Sequence, residues 1–426
     1  MTITLMIATV SVEPGWAVGT LAAPDATVDR DILLDAKGRP WVPGSALAGS
    51  LRAHLRQAEP PADERLMGSR PPGNREEAAA STVSSLWIVG TMFTPDGGDD
   101  RPETPVQLEI AGQTAIDRKR GAAAVGPLRF SRLAADGGKL TVYLRHDPTH
   151  APMTDADLRL IAAWQPAIGR DRTKGAGRAA LIQLRFGSVD PSTPNGAATW
   201  LAHSGPDLFD AVATRDVAVH AQADQPWLEA AFEIADGLLT SDGLPSKVAQ
   251  SRRRAGKPLI SGATWKGIIR SRAEFIIRSR YGEQAACQQL DGCGACPTCE
   301  IFGHQGQRSA LAFRDSYIED VPDPLPVRTQ VGIDRITGGA RNALLYQIQP
   351  LTTGQLHLRI DTLRPVDPWV RNLIWHVLRD IDDGLIGVGS RTTRGLGTLR
   401  LTSQSEELHP VQVPTLEATP TTEAAQ

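Results

Sequence analysis

Cysteine is almost absent from this 426-residue chain, and the four that occur all lie between residues 287 and 299. This confinement excludes a distributed disulfide framework and favours a local metal site in a reducing compartment such as the cytoplasm. The chain also lacks any apolar run near the ~20 residues that a membrane-spanning helix requires, so no membrane partner is expected. Residues 3–12 are β-branched and apolar without flanking signal-peptide features, and they predict a first strand.

Aromatic residues make up only 5% of the chain, and its first half shows no obvious aromatic pair for stacking bases. The net charge of −3 does not indicate nucleic acid either. The charges are segregated, however, because residues 247–280 contain ten Lys or Arg and one acid. A basic stretch of this kind is typical of a phosphate-binding surface, although a solvated helix face followed by a loop gives the same pattern.

Three segments recur in the same order in the two halves of the chain. Residues 43–52 match 261–270, residues 115–121 match 332–338, and residues 168–177 match 386–397, at offsets of 218, 217 and 220 residues. Three matches at nearly one offset indicate a duplicated module of roughly 200 residues. We predict a first module at 1–187, an irregular linker rich in Pro, Gly, Ser and Thr at 188–225, a second module at 226–403, and a disordered tail at 404–426.

Both modules show the same order of predicted elements. In the first, strands are predicted at 3–12, 140–145 and 180–186, helices at 45–57 and 154–165, and a charged hairpin around Ile116 and Asp117. In the second, strands are predicted at 227–234, 355–361 and 398–401, helices at 263–280 and 368–380, and a hairpin around Asp334. The predicted class is therefore α+β, with two tandem ferredoxin-like (RRM-like, βαββαβ) modules that each carry an inserted hairpin.

Glycine and arginine recur in one loop of each module, named here the first Gly/Arg loop (169–178) and the second Gly/Arg loop (387–397). Glycines let a backbone approach phosphate closely and basic side chains neutralise it, although an ordinary glycine-rich turn has the same composition. Basic residues also lie on the two helices that follow residues 43–45 and 261–263, where Ser45 and Ser261 lie near N-cap positions. Both loops and both helices are thus candidates for binding RNA phosphates.

The cysteines follow the pattern Cys287-x5-Cys293-x2-Cys296-x2-Cys299, with His304 shortly after them. Paired thiolates at this spacing suit a closed, tetrahedral zinc site, which predicts a structural zinc knuckle in the second module. His304 is an alternative fourth ligand in place of Cys287. Buried free cysteines are the alternative to a metal site.

Taken together, the motifs resemble the RAMP superfamily of CRISPR–Cas proteins, and within it the Cas-seven-type backbone subunits of type III effector complexes. The resemblance rests on Asp29 ahead of residues 35–45, the Ile-Asp-Arg hairpins, the Cys-Pro-Thr-Cys-Glu-Ile-Phe-Gly segment at 296–303, and the Gly/Arg loops. The resemblance extends over nearly the whole chain, with one set of motifs in each half. Two modules in one chain resemble the fused double backbone subunit of III-D-like systems.

The resemblance implies that the chain binds a guide RNA (crRNA) together with other Cas subunits, and that each Ile-Asp-Arg hairpin acts as a thumb that flips a guide nucleotide. It further implies an endoribonuclease in which Asp29, with a divalent cation such as Mg²⁺, cuts the paired target RNA. In the second module, either Asp242 has the same role in cutting target RNA, or the module binds RNA without cutting it. The candidate RNA-binding residues are Ser45, Arg52, Arg118, Gly169, Arg170, Arg172, Lys174, Gly175, Lys266, Arg270, Arg335, Gly389, Arg391, Arg394 and Gly395.

Three other functions are compatible with parts of the sequence. One is a non-cleaving scaffold subunit of the same complex, in which Asp29 has no catalytic role. Another is a stand-alone RNA-processing endoribonuclease with a histidine base, although His54, His203, His220 and His376 occur in no recurring context. The third is a zinc enzyme, which is disfavoured because four protein ligands leave no open position for substrate.

Overall fold

The computed structural model of the chain describes residues 2–20, 28–69, 81–97, 105–117, 122–148, 152–219, 225–241, 243–244, 246–403 and 405–416. Two antiparallel sheets, one in each half of the chain, form the centre of a mixed α+β fold, as the sequence predicts. Within the described residues, no helix is both long enough and apolar enough to cross a membrane.

The first half folds around a five-stranded sheet. The strands of this half are β1 (Ile3–Val12), β2 (Leu86–Pro95), β3 (Leu108–Gln113), β4 (Ile116–Asp117), β5 (Ala122–Ala123), β6 (Arg129–Ala134), β7 (Gly138–His146), β8 (Ala179–Val189) and β9 (Arg215–Val217). Its helices are α1 (Gly44–Arg56), α2 (Asp63–Met67), α3 (Asp155–Ala162), α4 (Pro194–Ala202) and α5 (Pro206–Val212). The sheet order is β2-β7-β1-β8-β9, which places β1 between β7 and β8.

The second half folds around a larger sheet. The strands of this half are β10 (Leu228–Ile234), β11 (Val248–Gln250), β12 (Arg253–Arg254), β13 (Lys257–Ile260), β14 (Leu311–Phe313), β15 (Ser316–Glu319), β16 (Arg328–Ile333), β17 (Ala340–Gln349), β18 (Gln355–Thr362) and β19 (Leu399–Leu401). Its helices are α6 (Gly262–Tyr281), α7 (Pro297–Phe302) and α8 (Pro368–Asp382). The main sheet has the order β12-β13-β15-β18-β10-β19, and β14 also pairs with β18.

The same arrangement of strands is present in both sheets. In the first half, the opening strand β1 lies between β7, which precedes α3, and β8, which follows the first Gly/Arg loop. In the second half, the opening strand β10 lies between β18, which precedes α8, and β19, which follows the second Gly/Arg loop. In β1, alternate residues Met6, Ala8 and Val10 are buried in the core formed with α1 and α3. In the second half, the corresponding core contains α6 and α8.

Sequence patterns explain why the main helices form where they do. Helix α8 begins with proline at its first position and repeats buried apolar residues at helical spacing, including Val370, Leu373, Ile374 and Val377. Helix α6 is capped by Ser261, whose hydroxyl accepts a hydrogen bond from the Thr264 N–H, and its last residue is followed by Gly282 with φ of 94°. Both helices therefore lie within two residues of their predicted bounds.

The expectation of an irregular linker at 188–225 is wrong for most of that segment. It contains α4, α5 and strand β9, which extends the first sheet. Leu208 and Phe209 of α5 pack against Ile3, Leu5 and Ile7, so they cover the second face of that sheet. The prolines and threonine that indicated a linker instead begin helices: Thr193 caps α4, and each of the two helices has a proline in its first turn.

The expectation of a disordered tail is also wrong for residues 405–416. Val411 and Val413 are buried in the core of the second half. The Tyr281 hydroxyl donates to the Val411 carbonyl at 2.9 Å and accepts from the Val413 N–H at 2.8 Å. Four apolar residues in this stretch provide enough buried surface to hold it against α6 and α8, although its overall composition is polar. Residues 417–426 lie outside the described part of the chain.

A buried ion network joins the two halves. Arg254 donates to Glu109 at 2.8 Å and also pairs with Asp315, while Arg252 donates to Glu109 at 3.0 Å. Asp315 in turn accepts from the Gly262 N–H at 2.7 Å, at the start of α6. Burial opposes the charge on Arg254, but the carboxylates of Asp315 and Glu109 outweigh it and raise the pKa of Arg254. Glu109 lies on β3, so one hairpin of the first half is fixed to the second half.

Candidate nucleic-acid interface

The two Gly/Arg loops have the same backbone conformation. Left-handed φ angles occur at Gly169, Asp171, Gly175 and Gly177, and again 220 residues later at Gly389, Arg391, Gly395 and Gly397. The N–H of Arg170 donates to the Ala17 carbonyl, and the N–H of Ser390 donates to the Leu239 carbonyl in the corresponding place. The structural counterpart of Gly169 is therefore Gly389, which agrees with the offset of 220 residues between the two repeated motifs.

The first Gly/Arg loop lies at the junction of the two halves. The Phe313 N–H donates to the Thr173 carbonyl at 3.3 Å. A Cβ built on Gly175 would lie only 2.2 Å from Asp315 Oδ1, and one built on Gly262 would lie 2.7 Å from the carbonyl carbon of Lys174. Glycine is thus required at both positions by close approach, and the loop is placed beside the first turn of α6.

This placement brings basic side chains from both halves together. Lys266 of α6 lies close enough to the first Gly/Arg loop for its amine to donate to the Thr173 hydroxyl at 3.3 Å. Burial lowers the pKa of Lys266 to about 7, and the positive charges of Lys174, Arg270 and Arg308 act in the same direction. Sequence reasoning had identified Lys174, Lys266 and Arg270 as candidates, but not that they meet. It missed Arg308, which occurs in no motif.

Three of the predicted RNA-binding arginines are occupied by contacts within the protein. The Arg170 guanidinium donates to the carbonyls of Arg30, Asp31 and Arg132 at 3.0–3.1 Å. Arg52 donates to the carbonyls of residues 67 and 68, at the end of α2. Arg270 pairs with buried Glu274 at 2.8 Å and donates to the Gly303 carbonyl. These arginines hold neighbouring loops in place in the free chain, and Ser45 is exposed in the first turn of α1.

Part of the basic stretch at 247–280 is likewise occupied. Arg252 and Arg254 belong to the buried ion network, and Arg272 pairs with Asp380 at 2.7 Å. The stretch is therefore not one continuous solvated face. The basic groups that remain available near the junction come from α6, from the first Gly/Arg loop and from Arg308, which follows α7.

Asp29 is exposed and fixed by strand β6. Its carboxylate accepts from the Phe130 N–H at 2.7 Å, while the N–H groups of Asp29 and Arg30 donate to the Phe130 carbonyl. Asp31 beside it pairs with Arg132 at 2.8 Å. Asp35 is held by Arg39, and hydrogen bonds from Arg39 and Lys37 outweigh its slight burial and lower the pKa of Asp35. Asp29 is thus presented to solvent at a defined position.

Asp242 and Arg118 lie outside the described residues. The residue after Asp242 is described, and a Cβ built on Gly243 would lie 3.6 Å from Leu128 and 3.8 Å from the Phe130 ring. Phe130 is the residue whose backbone holds Asp29. Asp29 and Gly243, the residue after Asp242, therefore both lie beside Phe130 of β6.

The second hairpin, formed by β16 and β17, ends in an ordered turn. The Asp334 carboxylate accepts from the N–H groups of Ile336 and Thr337, each at 2.9 Å, and these bonds lower the pKa of Asp334. Arg335 and Ile336 are exposed at the tip, and Ile336 is 95% exposed.

The second Gly/Arg loop is open to solvent on its outer side. Arg391 lies over the Tyr346 ring at 4.6 Å from its centroid, and Arg394 donates to the Tyr346 hydroxyl at 3.1 Å. Within the part of the chain that the structure describes, no atom lies within 4 Å of a Cβ built on Gly395. This loop therefore presents two positioned guanidinium groups, whereas the first loop is covered by the second half.

The four cysteine sulfurs all lie within 4.8 Å of one another. The Sγ atoms of Cys287 and Cys299 are 3.3 Å apart, and those of Cys293 and Cys299 are 3.9 Å apart. Thiolates around tetrahedral zinc are separated by roughly 3.8 Å, given Zn–S bonds of about 2.3 Å. The cluster can therefore hold a metal ion such as zinc.

The chemistry of the cluster also fits a metal. Burial raises the pKa of Cys287 to about 12, so the free thiol is poorly ionised. At Cys296 burial also opposes ionisation, but hydrogen bonds from Thr298 and nearby backbone outweigh it and lower the pKa to about 6. His304 does not join the cluster, and its Nδ1 accepts from the Gly306 N–H at 3.2 Å.

The model of the RAMP superfamily matches residues 10–180 and 196–400, which is most of the chain and two separate regions of it. The chain belongs to the RAMP superfamily. A search of curated proteins found no significant match. Proteins of the RAMP superfamily bind crRNA and other Cas proteins, so this RAMP protein is a CRISPR-associated RNA-binding subunit. The two matched regions agree with the duplication of motifs and of sheet order.

Proposed function

We propose that this RAMP protein is a guide-binding backbone subunit of a type III CRISPR effector complex, with two Cas-seven-type modules fused in one chain. The observation that carries the proposal is the meeting of basic side chains from both halves beside the first Gly/Arg loop. RNA is a polyanion, and a strand that runs along the protein crosses from one module to the next at this junction. Contacts there grip phosphates without reading bases.

Each module is proposed to be ferredoxin-like, with the β-hairpins β3–β6 and β16–β17 as thumbs. The support is the sheet order, in which the opening strand lies between the third and fourth strands of the βαββαβ pattern in both halves. The exposed Arg335 and Ile336 at the second tip are suited to displacing a nucleotide from a stack. An experimental structure of the guide-loaded complex tests both assignments.

Asp29 is proposed to support metal-dependent cleavage of target RNA paired with the guide, and Asp242 to do the same in the second module. A divalent cation held by a carboxylate and phosphate oxygens stabilises charge on the phosphate or activates water. What this chain supplies is an exposed carboxylate whose position is fixed by the Phe130 N–H. The four cysteines are proposed to hold a structural zinc ion.

The second candidate function is a scaffold that binds guide RNA without cutting. It is favoured by one observation: within the described residues, no group of three metal-ligating side chains includes Asp29. The alternative of a processing endoribonuclease with a histidine base is weakened, because the Nε2 atoms of His54 and His376 are hydrogen-bonded to the backbone carbonyls of Leu160 and His409. His220 lies outside the described residues.

Cleavage of target RNA by the reconstituted, guide-loaded complex separates these functions. We expect Asp29→Ala to slow one cut by about 10²-fold or more while target binding persists, because only the exposed carboxylate is removed. Asp242→Ala is expected to remove a different cut. The matched control is Asp207→Ala, an exposed acid on α5 that is expected to change neither. If every cut survives the double substitution of Asp29 and Asp242, the chain is a scaffold.

The open second Gly/Arg loop is proposed to face a neighbouring Cas subunit as the first loop faces the second half of this chain. The two loops have the same backbone, yet only the first is covered. Protein–protein cross-linking of the assembled complex tests this contact. Cross-links from residues 389–397 to another subunit support it, and cross-links from this loop to its own chain alone contradict it.

A further inference from the structure

A cluster of positive charge lies where the first Gly/Arg loop meets α6. It is named here the junction site, and it consists of Arg172, Lys174, Lys266, Arg270 and Arg308. Among the largest influences on the Lys266 pKa, the one carboxylate is Asp171, whose Oδ1 is already paired with Lys174 at 3.0 Å. Among the described residues, no salt bridge engages Arg172, Lys266 or Arg308. Asp315 lies beside the loop but is engaged by Arg254 and the Gly262 N–H, and Arg270 is held by Glu274 and donates to the Cys299 sulfur at 3.5 Å. The cations of the cluster therefore outnumber the carboxylates that are near them.

Such a cluster is unfavourable in the free protein. Each partly buried cation loses hydration and is repelled by its neighbours, and an unpaired charge in such a place shifts its pKa. Lys266 shows this directly, because burial and three neighbouring cations hold its pKa at about 7. Burial and the charge of Arg172 lower the pKa of Arg308 as well. An anion bound among these groups would relieve both effects.

The groups that face Lys266 come from each element packed around it. The loop contributes Asp171 and Lys174, α6 itself contributes Arg270, and the segment after α7 contributes Arg308. Thr173 supplies a hydroxyl at 3.3 Å from the amine. Arg270 is held by Glu274, so it acts on the site mainly through its charge.

We propose that the junction site binds a phosphodiester of the guide RNA, and that binding takes up a proton at Lys266, so that RNA affinity falls as the pH rises above neutrality. The proposal rests on the guide-binding function proposed above. Below about pH 7 the Lys266 amine is already protonated in the free protein, so binding needs no further proton. Above that pH the amine is mostly neutral in the free protein, so it must take up a proton when the phosphate binds. Linkage then reduces affinity by up to about tenfold for each pH unit.

The alternative is that Lys266 is a structural residue whose neutral amine donates to Thr173. In that case RNA binding depends on Lys266 no more than on any other lysine. The two readings differ in one measurable quantity, which is the number of protons taken up when RNA binds.

The test is the affinity of the full chain for a fluorescein-labelled single-stranded RNA, measured by anisotropy at fixed ionic strength between about pH 6 and about pH 9. We expect the wild-type affinity to fall by at least about tenfold over this range. Lys266→Arg should bind RNA and lose most of this dependence, because a guanidinium stays charged throughout. Lys139→Arg, on the exposed surface of β7, should keep the wild-type dependence. The histidines are the same in all three proteins, so a difference in pH dependence between wild type and Lys266→Arg comes from residue 266.

A second measurement needs no variant. Calorimetry of RNA binding in buffers of different ionisation enthalpy should show an uptake near pH 8 that approaches about one proton. Two results would contradict proton-linked binding at Lys266 without contradicting guide binding. One is RNA binding by wild type with no pH dependence and no proton uptake, and the other is a Lys266→Arg variant whose affinity changes with pH as the wild type's does. If the chain binds no RNA at any pH, the proposed function itself fails.

Discussion

Single residues in this protein take roles that depend on what surrounds them, not on their type. Arg170, Arg254 and Lys266 all belong to stretches whose composition indicated phosphate binding. In the fold, Arg170 donates to three carbonyls, Arg254 is paired with two carboxylates, and Lys266 is left beside like charges. The sequence could not distinguish them, because Arg254 and Glu109 are 145 residues apart and no local pattern connects them.

The metal ligands can be tested at the same scale. We expect the purified chain to contain about one zinc ion, and Cys287→Ser to lose it, because the four sulfurs converge and a hydroxyl is a poor ligand for zinc. His304→Ala is the matched control and should keep the metal, since His304 lies outside the cluster. Elemental analysis after dialysis measures both. Loss of metal in His304→Ala with retention in Cys287→Ser would reverse the ligand assignment.

At the scale of elements, predictions succeeded where a local signal has one meaning. Helix α6 is observed at Gly262–Tyr281 against a predicted 263–280, because its serine cap and apolar repeat are both local. The segment at 188–225 was mispredicted because Pro, Thr and Gly begin helices as readily as they form linkers. The tail was mispredicted because the burial of Val411 and Val413 depends on α6, far away in sequence.

The two Gly/Arg loops provide a matched pair of substitutions. Gly175 and Gly395 both have left-handed φ, of 92° and 77°, so alanine at either should cost about 1–3 kcal/mol of backbone strain. Only at Gly175 would the new Cβ also meet Asp315, at 2.2 Å. We therefore expect Gly175→Ala to lower the denaturant midpoint more than Gly395→Ala. Equal midpoints would contradict the close packing of the first loop against the second half.

At the scale of the whole molecule, the repeated motifs predicted two similar halves, and in both sheets the opening strand lies between corresponding neighbours. The relation between the halves was not predictable, because it depends on the buried network of Glu109, Arg252, Arg254 and Asp315. This network fixes the first loop against α6 and leaves the second loop open. The RNA path proposed here follows from that asymmetry.

The most direct test of guide binding is photo-crosslinking of a guide RNA that contains 4-thiouridine in the assembled complex, with the crosslinked peptides identified by mass spectrometry. We predict crosslinks to the first Gly/Arg loop, to the first turns of α6 and to residues 389–397, because these segments hold the available basic side chains. Crosslinks confined to α4 and α5, or their absence from all three predicted segments, would contradict the account.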